Sequence, residues 1–167
     1  LLSVVGDDKS AREIQQLLSS HNINCIFIKS PNLTTVQKHR IISQHHQILR
    51  LDYESQNPKL NFQKKDYSEL LKKFEKEAKS ETYSAAIFSD YKKGVLEHCK
   101  RLVKSAKKHK IPVFVDPKGD EFTIYEGANF LKTNIKEFKN KLPFSLSTFT
   151  FLEIITYLTI AQINSLN

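Results

Sequence analysis

Three short loops hold the residues most able to do chemistry. They are Gly6-Asp7-Asp8, Ser89-Asp90-Tyr91-Lys92-Lys93-Gly94 and Asp116-Pro117-Lys118-Gly119. Each follows an apolar run that reads as a strand. Carboxylates and ammonium groups that share one sheet edge suit a phosphorylated ligand with a divalent cation: the cations meet phosphate oxygens and the carboxylates meet the metal. In open parallel sheets, ligands bind beyond the carboxyl ends of the strands, where such loops lie. Turn chemistry alone is the plainer reading of each loop, because Asp-Pro and Lys-Gly are good turn formers. Three on one edge favour a site.

The elements that would position these loops alternate. Leu2–Val5 reads as a strand, and Asp7 or Asp8 can cap a helix through Ala11, Ile14, Leu17 and Leu18. Ile23–Ile28 is a second strand, making β-α-β within thirty residues. Residues 33–42 and 47–53 are β-rich around the polar Ser43-Gln44-His45-His46, which predicts a hairpin with one polar face. It interrupts the alternation and so forms a flap beside the sheet. Asp66–Ala78 has helix spacing, Tyr83–Phe88 is a strand, and Val95, Cys99, Leu102, Val103 and Ala106 mark one face of a further helix. Pro112–Val115 and Asn129–Leu131 are strands, and Thr133-Asn134 opens a short helix through Glu137. The expected fold class is α/β with a mostly parallel sheet.

Between Leu142 and Asn167 only Glu153 is charged. This apolar tail is too rich in threonine and too interrupted for a membrane span, which needs about 20 predominantly apolar residues. A core helix is the expectation, with no membrane partner. Lysine and arginine outnumber aspartate and glutamate by 26 to 18, a net charge of +8. The basic residues Lys100, Arg101, Lys104, Lys107, Lys108 and Lys110 lie off the apolar stripe of their own helix. A solvated face explains them, and no aromatics interleave them for base stacking, so nucleic acid is not an expected partner. His45-His46 cannot form a metal site, since adjacent strand residues face opposite sides. The two cysteines, Cys25 and Cys99, form no CxxC, which fits a reducing cytoplasm. No secretory signal is visible, and the Met-less opening Leu1-Leu2-Ser3 suggests a trimmed boundary.

Residues 85–96 (AAIFSDYKKGVL), 115–119 (VDPKG) and 133–138 (TNIKEF) resemble the ribokinase-like, or PfkB-type, carbohydrate kinases. The nearest likeness is to the D-glycero-β-D-manno-heptose-7-phosphate kinase domain of bifunctional ADP-heptose synthases. Val4-Val5-Gly6-Asp7-Asp8 and the flap segments Lys38-His39-Arg40 and Gln47–Asp52 match the same branch. The resemblance covers residues 3–140, so residues 1–141 are expected to be a partial kinase domain with its lid at 33–53, and 142–167 a separate tail. It implies a Rossmann-like α/β/α sandwich with a small β lid. It also implies transfer of the γ-phosphoryl of ATP, with Mg²⁺, to the anomeric hydroxyl of heptose 7-phosphate, a step toward lipopolysaccharide core precursors.

By that resemblance Asp116, Lys118, Asn134 and Glu137 would serve the nucleotide phosphates, Glu137 reaching Mg²⁺ through water. Asp7, Asp8, Lys38, Arg40, Arg50, Ser89, Asp90, Tyr91 and Lys93 would serve the sugar phosphate. The family's catalytic base is the aspartate of a Gly-x-Gly-Asp motif whose amides also form an anion hole. The four glycines here, Gly6, Gly94, Gly119 and Gly127, make no such motif. No catalytic base is therefore expected, and the chain should be inactive or fragmentary. The rival expectation is a non-catalytic interaction module, a homodimer through the lid or the tail, because a sheet edge and an apolar surface invite association.

Overall fold

The computed structural model describes residues 1–54, 62–118 and 121–132. The expected helix at 133–137 and the tail at 142–167 lie outside these described residues.

The chain begins β1 (Leu2–Gly6), α1 (Lys9–Ser20) and β2 (Ile26–Ser30), with β1 and β2 parallel from Leu2↔Ile26 to Gly6↔Ser30. Asp8 starts α1 by accepting a hydrogen bond from Ala11 N at 2.8 Å, which satisfies one of the free N–H groups of the first turn. The helix stops at Asn22, whose φ of 58° is left-handed.

β3 (Gln37–Ser43) and β4 (His46–Tyr53) form the antiparallel hairpin. Gln44 and His45, both at positive φ, make the two-residue turn, the geometry that matches strand twist. A register shift at Ile41/Ile42 marks a bulge. The in-register pairs give two unlike faces. Lys38, Asp52, Arg40 and Arg50 share one; His39, Leu51, Ile41, Leu49 and Tyr53 share the other. Every residue of β4 is exposed, so the hairpin projects from the core as a lid.

The chain re-enters the core as α2 (Lys64–Lys79), followed by β5 (Ala86–Ser89), α3 (Cys99–Lys108), β6 (Val113–Asp116), a 3₁₀ turn (Thr123–Tyr125) and β7 (Phe130–Leu131). β5, β6 and β7 form a second parallel sheet in that order. The apolar spacing from Val95 predicts a longer helix than forms. Residues 95–98 are turns, tied by Glu97 N to Gly94 O and Cys99 N to Leu96 O, and Gly94 at φ 98° favours that turn over a continuing helix.

One hydrophobic core joins these parts. Val4 and Ile28 from the first sheet meet Tyr67, Leu70 and Leu71 of α2, Cys99, Leu102, Val103 and Ala106 of α3, and Phe88, Val113 and Val115 of the second sheet. Period-2 alternation sends Ile87, Phe114 and Phe130 to the other face of that sheet. There Phe114 and Phe130 stack with centroids 4.6 Å apart, and Ile87 is 77% exposed. Among the described residues the second sheet is thus covered on one face.

Candidate functional site

The N-terminal end of α2 gathers the strand ends. Ser30, the last residue of β2, is fully buried and donates from Oγ to Asp66 Oδ2 at 2.9 Å. The same oxygen accepts from Gln63 N at 3.0 Å, closing the first turn of α2. One residue on, Tyr67 Oη donates to His98 O at 2.7 Å, at the N-terminal end of α3. Phe62 packs where a side chain on Gly94 would stand. The carboxyl ends of both parallel sheets therefore open to the same side of the molecule, and the lid roots lie on that side.

At the second sheet, Ser89 pairs with Asp116 and Asp90 N donates to Asp116 O at 2.9 Å. The Asp90 carboxylate is fixed on both oxygens. Oδ1 accepts from Lys92 N at 2.7 Å, and Oδ2 accepts from the hydroxyl of Tyr125. Tyr125 is 1% exposed. Burial first, and then the Asp90 carboxylate, raise its phenol well above the usual tyrosine range, while the Lys118 amide pulls the other way. Tyr125 therefore stays protonated and remains a donor at any physiological pH. Asp90 and Lys118 line one cavity of about 330 Å³, together with Lys92, His98 and Glu121.

At β1, Asp7 lies 3.9 Å from Lys29 in a loose ion pair. The Asp8 carboxylate serves backbone on both oxygens: Oδ1 accepts from Ala11 N, and Oδ2 from Thr35 N at 2.8 Å. Partial burial would raise its pKa, but the Thr35 and Ala11 amides outweigh that and hold it below the ordinary carboxylate value. Gly6 allows this close packing. A Cβ there would stand 2.6 Å from Leu33 O and 2.9 Å from Thr35 N, and closer still to the Asp8 carboxylate.

On the lid, Asp52 gathers the cations. Lys38 Nζ reaches its Oδ2 at 3.1 Å, and Arg50 grips both oxygens at 2.8 and 3.0 Å. The Lys38 hydrogen bond first, and then Arg50, lower the Asp52 pKa. Arg40 stands opposite Arg50 and has no carboxylate partner among the described residues.

The structure thus brings Ser89, Asp90, Asp116 and Lys118 to one edge, and Lys38, Arg40 and Arg50 to one lid face. Lys93 turns to the lid root, where it pairs with Glu54 at 2.6 Å. Tyr91 is exposed, and Asn134 and Glu137 lie outside the described residues. No group of three or more metal-ligating side chains stands together among the described residues. Sequence reasoning missed Tyr125, Glu54 and the Ser30–Asp66 pair. Their partners lie 35, 39 and 36 residues away, beyond the reach of local spacing.

A parallel α/β core, with charged loops at its strand ends and an antiparallel lid rooted beside them, is the architecture of ribokinase-like sugar kinases. The chain belongs to the pfkB family of carbohydrate kinases, whose profile matches residues 1–143. It is 39% identical over 139 residues to the bifunctional protein HldE of Marinomonas sp. (strain MWYL1), and 39% over 139 residues to that of Histophilus somni (strain 129Pt). In both cases 83% of this chain and 28% of the relative are covered. The chain thus spans under a third of the length of these relatives. Its fold matches a possible 1-phosphofructokinase of Thermotoga maritima with a TM-score of 0.60, at 16% identity, over 93% of this chain and 48% of that one. A phosphofructokinase-2 variant of Escherichia coli matches with a TM-score of 0.55, at 17% identity, over 84% and 46%. No helix among the described residues is long and apolar enough to cross a membrane.

Proposed function

We propose that this chain carries the lid and sugar-binding part of a kinase domain for D-glycero-β-D-manno-heptose 7-phosphate, with ATP as donor, acting in the cytoplasm. The observation that carries this reading is the 37–39% identity to HldE proteins over 139 residues. In this reading Lys38, Arg40 and Arg50 present the lid cations to the sugar phosphate, Arg by its fork. Arg40, which has no carboxylate partner among the described residues, is the first to engage. Ser89, Asp90, Tyr91 and Lys93 line the sugar side with Asp7. Asp8 acts through the backbone, holding the lid root at Thr35. Asp116 and Lys118, with Asn134 and Glu137, serve the nucleotide phosphates. Mg²⁺, reached from Glu137 through water, would offset negative charge on those phosphates.

The 167 residues hold no Gly-x-Gly-Asp. Binding rather than turnover is therefore what these residues supply by themselves. Isothermal titration with heptose 7-phosphate tests this. Saturable binding, weakened by Arg40→Ala and absent for the unphosphorylated heptose, is expected. Equal heats with the two sugars would overturn it.

A second reading is a homodimer or interaction module. The exposed apolar lid face, with Ile41 47%, Leu49 46% and Tyr53 49% exposed, favours it. The two readings are compatible, because the lid's charged face and apolar face are opposite.

A further inference from the structure

Asp90 is held from behind by a residue of another loop. The segment that Asp90 opens carries two left-handed residues, Lys92 at φ 56° and Gly94 at φ 98°. Glycine adopts that backbone freely and lysine does not. Asp90 offsets this at Lys92, whose amide donates to Oδ1 at 2.7 Å, a turn closed by the aspartate side chain. Oδ2 accepts from the Tyr125 hydroxyl, and the Lys118 backbone amide donates to that same hydroxyl. One buried hydroxyl thus meets the loop after β5 and the loop after β6. The strand ends are also joined directly, Asp90 N to Asp116 O at 2.9 Å, but that bond fixes only the main chain.

Tyr125 does not itself face a ligand. It is 1% exposed and built into its 3₁₀ turn, its amide donating to Phe122 O and its carbonyl accepting from Ala128 N, both at 3.0 Å. Asp90 is half-buried and lines the cavity of about 330 Å³ with Lys92 and Lys118, and Tyr125 stands behind that lining. An ionised carboxylate has roughly four lone-pair positions. Lys92 N and Tyr125 take one on each oxygen, which leaves each oxygen able to accept once more.

We propose that Tyr125 is a positioning residue for sugar recognition: its hydroxyl fixes the rotation of the Asp90 carboxylate, so that the remaining lone pairs accept from a sugar hydroxyl in the cavity. The inference rests on the functional reading above, in which Asp90 lies on the sugar side. A carboxylate free to rotate loses that freedom when a ligand binds, and one fixed in advance does not. The benefit reaches only a ligand that brings a hydroxyl to Asp90. The phosphate of the same ligand is held by cations on other elements and gains nothing from Tyr125.

The full 167-residue chain tests this by titration calorimetry and by NMR. Tyr125→Phe keeps the ring and removes the hydroxyl. It is expected to weaken heptose 7-phosphate binding roughly three- to ten-fold, the worth of one hydrogen bond, and to leave the affinity for inorganic phosphate, which has no sugar hydroxyl to place, within about two-fold of wild type. Asp90→Ala should weaken the sugar phosphate as well. Adding Tyr125→Phe to it should cost nothing more, because a residue that acts through Asp90 is silent without it. In the spectrum, Tyr125→Phe should move the amide signals of Lys92 and Lys118 and leave those of β1 and β2 in place. A measurement that needs no variant is the wild-type Tyr125 ring signal, which heptose 7-phosphate should shift through Asp90 and inorganic phosphate should not. Additive losses in the double variant, equal losses for sugar phosphate and inorganic phosphate, or unmoved Lys92 and Lys118 signals would each overturn the positioning role. Absence of heptose 7-phosphate binding in wild type would overturn the functional reading and the sugar-recognition role together, while the amide signals still decide whether Tyr125 holds Asp90.

Discussion

Asp8 does two structural jobs with one carboxylate, and the two can be separated. Asp8→Ala removes the α1 cap and leaves Thr35 N without its acceptor, an expected loss of about 1–3 kcal/mol in chemical denaturation. Asp8→Asn keeps a good capping oxygen but turns an amide toward Thr35 N. It should cost less overall, yet still speed hydrogen exchange at Thr35; equal losses for the two variants would show that the Thr35 tie contributes nothing. The folded pKa of Asp8 is depressed. Its contribution is therefore complete above the unfolded value of about 4 and is lost as pH falls through the lower folded value. The stability gap between wild type and Asp8→Asn should close only in that acidic window. Gly6→Ala strikes the same junction by overpacking, with Leu33 O and Thr35 N too near the new methyl. An expected cost of about 1–3 kcal/mol should appear as a lower urea midpoint at unchanged slope. A cap at Asp7 or Asp8 is legible in sequence, because Asp before an apolar periodic run is a helix start signal, and the structure selects Asp8. Its second partner is not legible, since Thr35 reaches it only after β2 returns alongside β1.

The lid is the element that the residue pattern described best, and the one whose chemistry divides most cleanly. Its turn at Gln44-His45, its polar face and its place outside the alternation all follow from β-rich stretches flanking a polar tetrad. The bulge at Ile41/Ile42 was not foreseeable, because one extra residue changes no local preference. Helix bounds were less legible where turns intervene, as at 95–98, since apolar spacing continues through a turn that buries Leu96. The division of faces makes a prediction about association. Leu51→Lys places a charge on the His39–Ile41–Leu49 face and leaves the Arg40–Arg50 face intact. Sedimentation should show self-association lost in Leu51→Lys and retained in Arg40→Ala, while sugar-phosphate affinity responds in the opposite order. Self-association that survives Leu51→Lys would remove the lid from the interface.

At the scale of the whole molecule, the described residues bring together a lid, a pinned acidic loop and two strand ends, which in the proposed reading form one edge of a phosphotransfer site. Positioned cations bind a phosphate, but transfer also needs a base for the attacking hydroxyl and donors aimed at the charge that develops on the moving phosphoryl. Asp90 is the carboxylate best placed to substitute. Both of its oxygens already accept hydrogen bonds, from Lys92 N and from the Tyr125 hydroxyl. Asp116 offers no better prospect, being exposed on the uncovered side of the sheet. In the proposed reading, the 167 residues alone, which hold no Gly-x-Gly-Asp, would forgo ~10²–10⁴-fold from the base and ~10²–10³-fold from the anion hole, though groups acting as a unit do not simply multiply. The purified 167-residue chain, given heptose 7-phosphate, ATP and Mg²⁺, should therefore release ADP at least ~10²-fold more slowly than an intact HldE kinase domain assayed beside it. A rate within ten-fold of that control would mean that a carboxylate of this chain acts as base. Asp90→Asn and Asp116→Asn would then identify which: the variant that abolishes turnover while leaving sugar-phosphate affinity intact marks the proton acceptor.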